Sequence, residues 1–386
     1  MRKVSVIGAH EIKWGVLKEK PLLDMVSEAA NKAITDAGID RYAIQAIFLG
    51  NAFGEILTGQ ATLGSATANI LGIPHVPSIR FECACSSGAI ALREAFLNIA
   101  HGVYDYVLVV GVEKMNTKET PQILSAIATS FDFYDQKAGI VAPAVFALYA
   151  SAHMKHFGTT KEQLAMVAEK NYYNGSLNPN AHYQKQVSLE EILNAPMIAE
   201  PLGRHDCSLV TDGAAALVLG PAETAKNYNS QPINILASAI AGDYYRVANR
   251  DSYVSFASTR IAARQAYEMA GVQPQDITCA ETHDCFTITE IINIEDLGFF
   301  PKGEGGRAVQ DGETRLAGRI PVNASGGLKA KGHAIGATGV GQVVEAVTQL
   351  RGKAGERQIK NVELFLTHML GGSPSISVIH IFARGY

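Results

Sequence analysis

The chain has 386 residues, 47% hydrophobic and 18% charged, enough apolar material for a large core and, by length, for more than one domain-sized unit. Its net charge of -4 comes with scattered Lys and Arg and no aromatic residues interleaved with a basic stripe, which leaves nothing for nucleic acid to bind. Five cysteines at irregular spacing (83, 85, 207, 279, 285) argue against a disulfide framework and for a reducing compartment. With no secretory leader before Val4 and no apolar run of bilayer length, the cytoplasm is the default location and a membrane is not expected.

Val4–Ile7 reads as a buried strand. Apolar residues at 22, 23, 26, 30, 33, 34 and 37 then give helical spacing, closed by Gly38. Ala46–Gly50 is the next strand, leading into the loop Asn51–Gly54. Phe81-Glu-Cys-Ala-Cys-Ser-Ser-Gly88 follows, running into a helix that ends near Gly102. It places Cys85 at a helix N-terminus, where unpaired N–H groups and the positive end of the dipole favour thiolate over thiol. Ser86, Ser87 and Gly88 are small enough to leave the sulfur open to an acyl thioester. The plainer reading is a small buried cysteine at a strand–helix junction. Tyr104–Gly111 is a continuous apolar run, as in a strand covered on both faces. Strands alternating with helices indicate an α/β fold, with a mostly parallel sheet expected.

From about 113 to 204 this rhythm breaks, with one helix expected over 160–172. The stretch is too long for a connection inside a compact domain and reads as an inserted subdomain that covers or lines a site. A strand returns at Asp212–Gly220, and then the chain starts again. Ile233–Ala241 is a strand, 260–271 is a helix ending in Gly271, and Thr282-His-Asp-Cys-Phe286 takes the place of the Asn51–Gly54 loop. A Gly/Ser-rich turn into a helix and a strand at 363–366 complete the parallel. The pattern indicates two duplicated α/β halves, 1–220 and 221–386.

Two loops of the second half carry chemistry. In extended backbone His283 and Cys285 point to one side, although a His–Asp capping turn with a packed cysteine explains the same residues. The glycine-rich run Ser325–Gly341 is no phosphate loop, because Gly332 is followed by His333 where Lys and then Ser or Thr are needed. Its glycines read as close helix–backbone packing that leaves His333 free to take a proton from Cys85. No cysteine spacing fits a common zinc site, so no metal is expected.

In this order the motifs resemble those of the thiolase superfamily, over essentially the whole chain. Cys85-Ser-Ser-Gly88 is similar to its nucleophile loop. Gly332-His-Ala-Ile-Gly-Ala-Thr-Gly339 is similar to its Gly-His-Pro loop, with Ala334 in place of Pro. His283-Asp-Cys-Phe286 resembles the sterol carrier protein-type and archaeal-type branches. The resemblance implies two βαβαβαββ halves in five αβαβα layers with an inserted loop domain. It implies Cys85 as the acyl-accepting nucleophile and His333 as the group that keeps it ionised and binds the thioester oxygen. His283 would hold a water in that first oxyanion hole, and Cys285 would be the acid/base at the α-carbon. Gly371 and Cys85 would supply the backbone N–H groups of a second hole. The family's usual second cysteine is replaced by Met369, so its role passes to Cys285; His368 nearby is a further base candidate but reads better as packing.

The activity implied is CoA-dependent cleavage of a 3-oxoacyl-CoA, or the reverse Claisen condensation, with coenzyme A as substrate and no bound cofactor. Ketoacyl synthase and hydroxymethylglutaryl-CoA synthase arrangements lack a second thiol, and a non-catalytic acyl or lipid carrier is supported only by Met369. The partners implied are a second copy of the chain, as a homodimer or dimer of dimers, and a separate OB-fold zinc-ribbon subunit that sometimes bridges to a hydroxymethylglutaryl-CoA synthase. Phe131, Phe133, Tyr134, Phe146 and Tyr149 are expected to shape the acyl pocket.

Overall fold

The computed structural model of the chain describes residues 1–385. In chain order the first half carries β1 (Val4–Glu11), α1 (Leu22–Ala37), β2 (Ala46–Gly50), β3 (Ser78–Phe81), α2 (Ser87–Ala100) and β4 (Val107–Glu113). Helices α3 (Thr120–Ala128), α4 (Ala142–Phe157) and α5 (Lys161–Ser176) come before β5 (Gly213–Pro221). The second half carries β6 (Ile233–Gly242), α6 (Ala257–Ala270), β7 (Cys279–Glu281), α7 (Thr287–Asp296), α8 (Ile335–Leu350), β8 (Leu364–Gly371) and β9 (Ile376–Arg384). Helix α1 ends where its periodicity does. Gly38 takes φ 68°, and its N–H reaches the carbonyls of Ile34 and Thr35.

The nine strands run β3-β2-β4-β5-β1-β6-β9-β8-β7. The order repeats by halves: β6, β7, β8 and β9 take the places of β1, β2, β4 and β5, and an isolated bridge between Ala280 and Val322 stands where β3 pairs with β2. The halves join through a short antiparallel pairing of Val4–Val6 with Ile233–Ile235. The sheet is mixed, not mostly parallel. Only β2 with β3, β2 with β4, and β7 with β8 run parallel, while the other five neighbouring pairs are antiparallel. The connections explain this. Helical crossovers make the parallel pairs, whereas β8 reaches β9 through a four-residue turn that permits only reversal.

Alternation along the strands sorts the core into layers. Val107, Val109, Leu217, Phe365 and Phe382 face a central layer with Ala95 and Ile99 of α2 and Val343 and Val347 of α8. Leu108, Val110 and Val218 face the opposite way, onto α1. Leu366, Leu370, Ile379 and Ile381 face α6 and α7. The result is five layers, helix–sheet–helix–sheet–helix. Where β4 and β5 are joined by three long helices, β8 and β9 are joined by a turn, so the extra segment lies in the first half alone.

The two central helices touch backbone to backbone. A Cβ on Gly88 would lie 2.6 Å from the Gly336 carbonyl, and one on Gly339 would lie 2.6 Å from the Ala89 nitrogen. Only glycine allows that approach, and it brings the N-terminal ends of α2 and α8 side by side. Among the described residues no helix is long and apolar enough to cross a membrane.

Candidate active site

Cys85 occupies the tight turn between β3 and α2. The Ser86 N–H donates to the Cys83 carbonyl at 3.0 Å, the Cys83 N–H donates to the Ser87 hydroxyl at 2.9 Å, and that hydroxyl donates to the Ala84 carbonyl at 2.6 Å. Ala84 is held at φ 48°, a left-handed conformation that costs alanine on the order of 1 kcal/mol, one residue before the sulfur.

The loop bearing His333 arrives from the other half. The His333 N–H donates to the Leu209 carbonyl at 3.2 Å, and Gly332 before it sits at φ 112°. The ring Nε2 lies 3.2 Å from Cys85 Sγ, and Nδ1 lies 2.8 Å from Thr338 Oγ1. The Thr338 hydroxyl donates to the Ala334 carbonyl at 3.0 Å, so toward the ring it accepts. That assigns the tautomer: Nδ1 carries the proton, and the Nε2 lone pair faces the thiol.

Burial pushes the Cys85 thiol up to about 12, and the Glu113 carboxylate adds to the shift. Burial likewise holds His333 down to about 3. At neutral pH the pair is therefore thiol and neutral imidazole. Cys85 precedes the first helical residue, Ser87, and is partly buried, so desolvation of the sulfur opposes a dipole effect confined to the first turn.

His283 and Cys285 enter from the β7–α7 turn. The His283 ring stands edge-on to His333, with centroids 5.3 Å apart, and its Nδ1 has no hydrogen-bond partner. Burial and the neighbouring His333 keep it neutral by lowering its pKa well below the usual histidine range. One ligand atom each of Cys85, His283 and His333 lie within 4.8 Å of one another. Cys285 is buried with Sγ 4.0 Å from Thr289 Oγ1. Burial raises its thiol well above the usual range, and Cys85 is close enough to raise it further. Between them Asp284 turns away and accepts from the N–H groups of Leu328 at 2.7 Å and Lys329 at 3.3 Å and from Asn171 Nδ2 at 2.8 Å. It thereby ties this turn to the segment that leads into His333.

Gly371 ends β8 against the nucleophile loop, where a Cβ would lie 2.7 Å from the Cys83 carbonyl and 3.2 Å from Ser86 Oγ. Met369 packs with Ala89, Ile90 and Val378 in the cluster that also touches Cys83 and Cys85. His368 projects from the opposite face of β8, with Nε2 3.1 Å from Thr259 Oγ1, and is near enough to His283 to help lower its pKa. A cleft of about 350 Å³ opens beside these loops, lined by Glu82, Ala84, Tyr245 and Gly371 among others.

Of the aromatic residues expected in the acyl pocket, Phe146 stacks on Phe286 at 4.5 Å, directly beyond Cys285, and Phe131 and Tyr149 are core residues. Phe133 and Tyr134 do not belong there. They are 60% and 64% exposed, under Lys137 and Arg246 respectively, because the short helix that carries them lies on the surface.

Two residues of the site escaped the sequence reading. Thr338 sets the His333 tautomer, and its place one turn into the following helix was the available signal. Glu113 is fully buried and accepts from the backbone N–H groups of Ala52, Phe53 and Gly336 and from Asn51 Nδ2, between 2.9 and 3.1 Å. It pins the Asn51–Gly54 loop to the start of α8, and burial raises its carboxyl to about 7. Nothing in the sequence distinguished it from a charged residue closing a strand.

Residues 4–223 match the thiolase N-terminal domain, and residues 239–384 match the thiolase C-terminal domain-like family. The chain is 44% identical to an acetyl-CoA acetyltransferase of Methanothermobacter thermautotrophicus, with 100% of both chains covered. It is 34% identical to sterol carrier protein 2 of Bos taurus, covering 100% of this chain and 73% of that one. Among solved structures its fold is like that of an Ltp2-ChsH2(DUF35) aldolase, with a TM-score of 0.85 at 24% identity over 99% of this chain and 98% of that one. A duplicated five-layer fold, a thiol and an imidazole brought together from its two halves, and family matches over nearly the whole length agree: the chain belongs to the thiolase family.

Proposed function

We propose that this thiolase cleaves 3-oxoacyl-CoA with coenzyme A to acetyl-CoA, or another acyl-CoA, and a shortened acyl-CoA, and runs the reverse Claisen condensation through the same acyl-cysteine. The observation that carries the reading is His333 Nε2, with its lone pair free, 3.2 Å from Cys85 Sγ and beside a second thiol, Cys285.

His333, with Nε2 3.2 Å from the sulfur, acts as the base that takes the Cys85 proton. The Cys85 sulfur adds to the C3 carbonyl as its proton passes to Nε2. The C2–C3 bond then breaks, and the enolate of acetyl-CoA takes a proton from Cys285. Coenzyme A attacks acyl-Cys85, its thiol proton goes to the Cys285 thiolate, and Cys85 leaves with the proton held by His333. Negative oxygen is stabilised at a hole of His333 and a water held by His283, and at a second hole of the Cys85 and Gly371 N–H groups. Coenzyme A is a substrate, and this chemistry asks for no bound cofactor or metal.

We read the chain as halves 1–220 and 221–386, with the loop domain at about 113–204 inserted in the first. The edge strand β3, with Ile79 48% exposed, offers unpaired backbone for a second copy, in a dimer or a dimer of dimers. A separate OB-fold zinc-ribbon subunit, and through it a hydroxymethylglutaryl-CoA synthase, are further partners. The aldolase of like fold bears a name that joins two components, Ltp2 and ChsH2(DUF35). Five free thiols, two of them at the site, suit a reducing cytoplasm.

The test is CoA-dependent cleavage of acetoacetyl-CoA by wild type, Cys85→Ala and Cys285→Ala, with and without a zinc-ribbon partner. Both variants are expected to lose cleavage. A Cys285→Ala enzyme that cleaves at the wild-type rate would remove the second thiol from the mechanism, and a condensing enzyme without one would fit better.

A further inference from the structure

We propose that Cys85, His283 and His333 form a reversible zinc site that shuts the enzyme off, the metal taking the nucleophile and its base together. The proposal rests on the positions of three ligand atoms that the proposed reaction also uses, but not on their catalytic roles. Those atoms lie within 4.8 Å of one another, and the Cys85 Sγ to His333 Nε2 separation is 3.2 Å. Tetrahedral zinc with thiolate and imidazole ligands needs separations of about 3.3–3.6 Å between ligand atoms, so the gaps need close by no more than about 1.5 Å. Sequence spacing concealed this set because each ligand comes from a different segment.

Two features prepare the imidazoles. His333 presents a lone pair from Nε2 while its Nδ1–H is held by Thr338, the outer hydrogen bond that orients a metal-bound histidine. His283 is 2% exposed, and its buried Nδ1 is unsatisfied. One sulfur and two nitrogens select a borderline-soft ion such as Zn²⁺ over Mg²⁺ or Ca²⁺, which need oxygen ligands. Binding is balanced by one proton: the Cys85 S–H bond breaks, the S–Zn bond forms, and the proton leaves to solvent. Bound there, the metal holds the nucleophile sulfur and its base, so metal binding and acyl transfer exclude each other.

The experiment titrates chelator-treated, reduced protein with Co²⁺, a spectroscopic stand-in for zinc, in the absence of CoA. The result expected is a thiolate-to-cobalt band with tetrahedral visible bands at about one equivalent, release of about one proton, and bleaching by Zn²⁺. Cys85→Ala should abolish the band. His283→Ala and His283→Asn should each weaken binding at least about 10-fold, since losing even a group that orients a ligand costs about 10–100-fold. Cys207→Ser should change nothing. Zn²⁺, but not Mg²⁺, should inhibit acetoacetyl-CoA cleavage reversibly on adding EDTA. Absence of the band, or a band that survives Cys85→Ala, overturns the proposal. Because the spectrum needs no turnover, a protein that binds cobalt in this way but cleaves no 3-oxoacyl-CoA, with or without a zinc-ribbon partner, would sink the proposed reaction and leave the zinc site standing.

Discussion

Gly332→Ala tests whether the backbone before His333 holds the base in place. Gly332 sits at φ 112°, outside the regions open to L-residues, and an added Cβ would lie 2.5 Å from Thr211 Oγ1, 2.8 Å from its Cγ2 and 3.0 Å from its Cβ. Thr211 cannot turn aside. It is fully buried, its hydroxyl donates to the Leu209 carbonyl at 3.0 Å, and it meets His182 Nδ1 at 2.9 Å. The conformation costs about 1–3 kcal/mol and the overpacking about 1–3 kcal/mol more, together about 2–6 kcal/mol of a typical total of about 5–15. Relief by moving the loop would open the 3.2 Å gap between His333 and Cys85, at the limit of general-base reach, with an expected loss of about 10²–10⁴ in rate. Urea unfolding reads the first quantity and acetoacetyl-CoA cleavage the second. Adding Thr211→Ala removes the Oγ1 and Cγ2 contacts and keeps the 3.0 Å Cβ contact, so the double mutant should recover most of the overpacking share and none of the conformational one. A Gly332→Ala protein within about 0.5 kcal/mol of wild type and fully active would refute the reasoning.

Other outcomes follow from the buried charges. With the Cys85 thiol pushed up to about 12 by desolvation, little of Cys85 is thiolate at pH 7. Alkylation mapped to Cys85 should therefore climb about tenfold per pH unit from about pH 6 to pH 9, and a plateau below pH 8 would mean a resting ion pair. The Glu113 carboxyl, raised to about 7, holds its proton in the folded state where the unfolded chain has lost it, so stability falls as pH rises from about 4.5 to 7. Glu113→Gln should flatten that slope, read from urea midpoints at the two ends, and an unchanged slope would contradict it. Lys170 pairs with Glu290 at 2.9 Å inside the protein, beneath the turn of His283, so Lys170→Met should cost about 3–5 kcal/mol in unfolding; less than about 1 kcal/mol would show the pair to be unimportant.

The sequence revealed what local chemistry controls. Periodicity and Gly38 placed α1 at its observed limits, and small residues after Cys85 marked the start of α2. Extended backbone would put His283 and Cys285 on one side across Asp284, while a His–Asp capping turn explained the same residues, and sequence alone did not choose between them. Long-range choices were less visible. A continuous apolar run such as Val107–Val110 says that both faces are buried but not which way the neighbouring strand runs, so the mixed sheet was missed. Phe133 and Tyr134 are aromatic like Phe146, and only tertiary placement separates surface from core. Glu113 and Thr338 act through atoms distant in the chain, and no spacing rule reports them.

The most direct measurement is the mass of the Cys85 peptide after acetyl-CoA is added to wild type, Cys85→Ala and Cys285→Ala and quenched in acid. Cys85 acting as nucleophile with Cys285 serving only the α-carbon requires one acetyl group on Cys85 in wild type and in Cys285→Ala, and none anywhere in Cys85→Ala. An acetyl group on Cys285 or another residue, or acetylation that persists without Cys85, would contradict that division of roles.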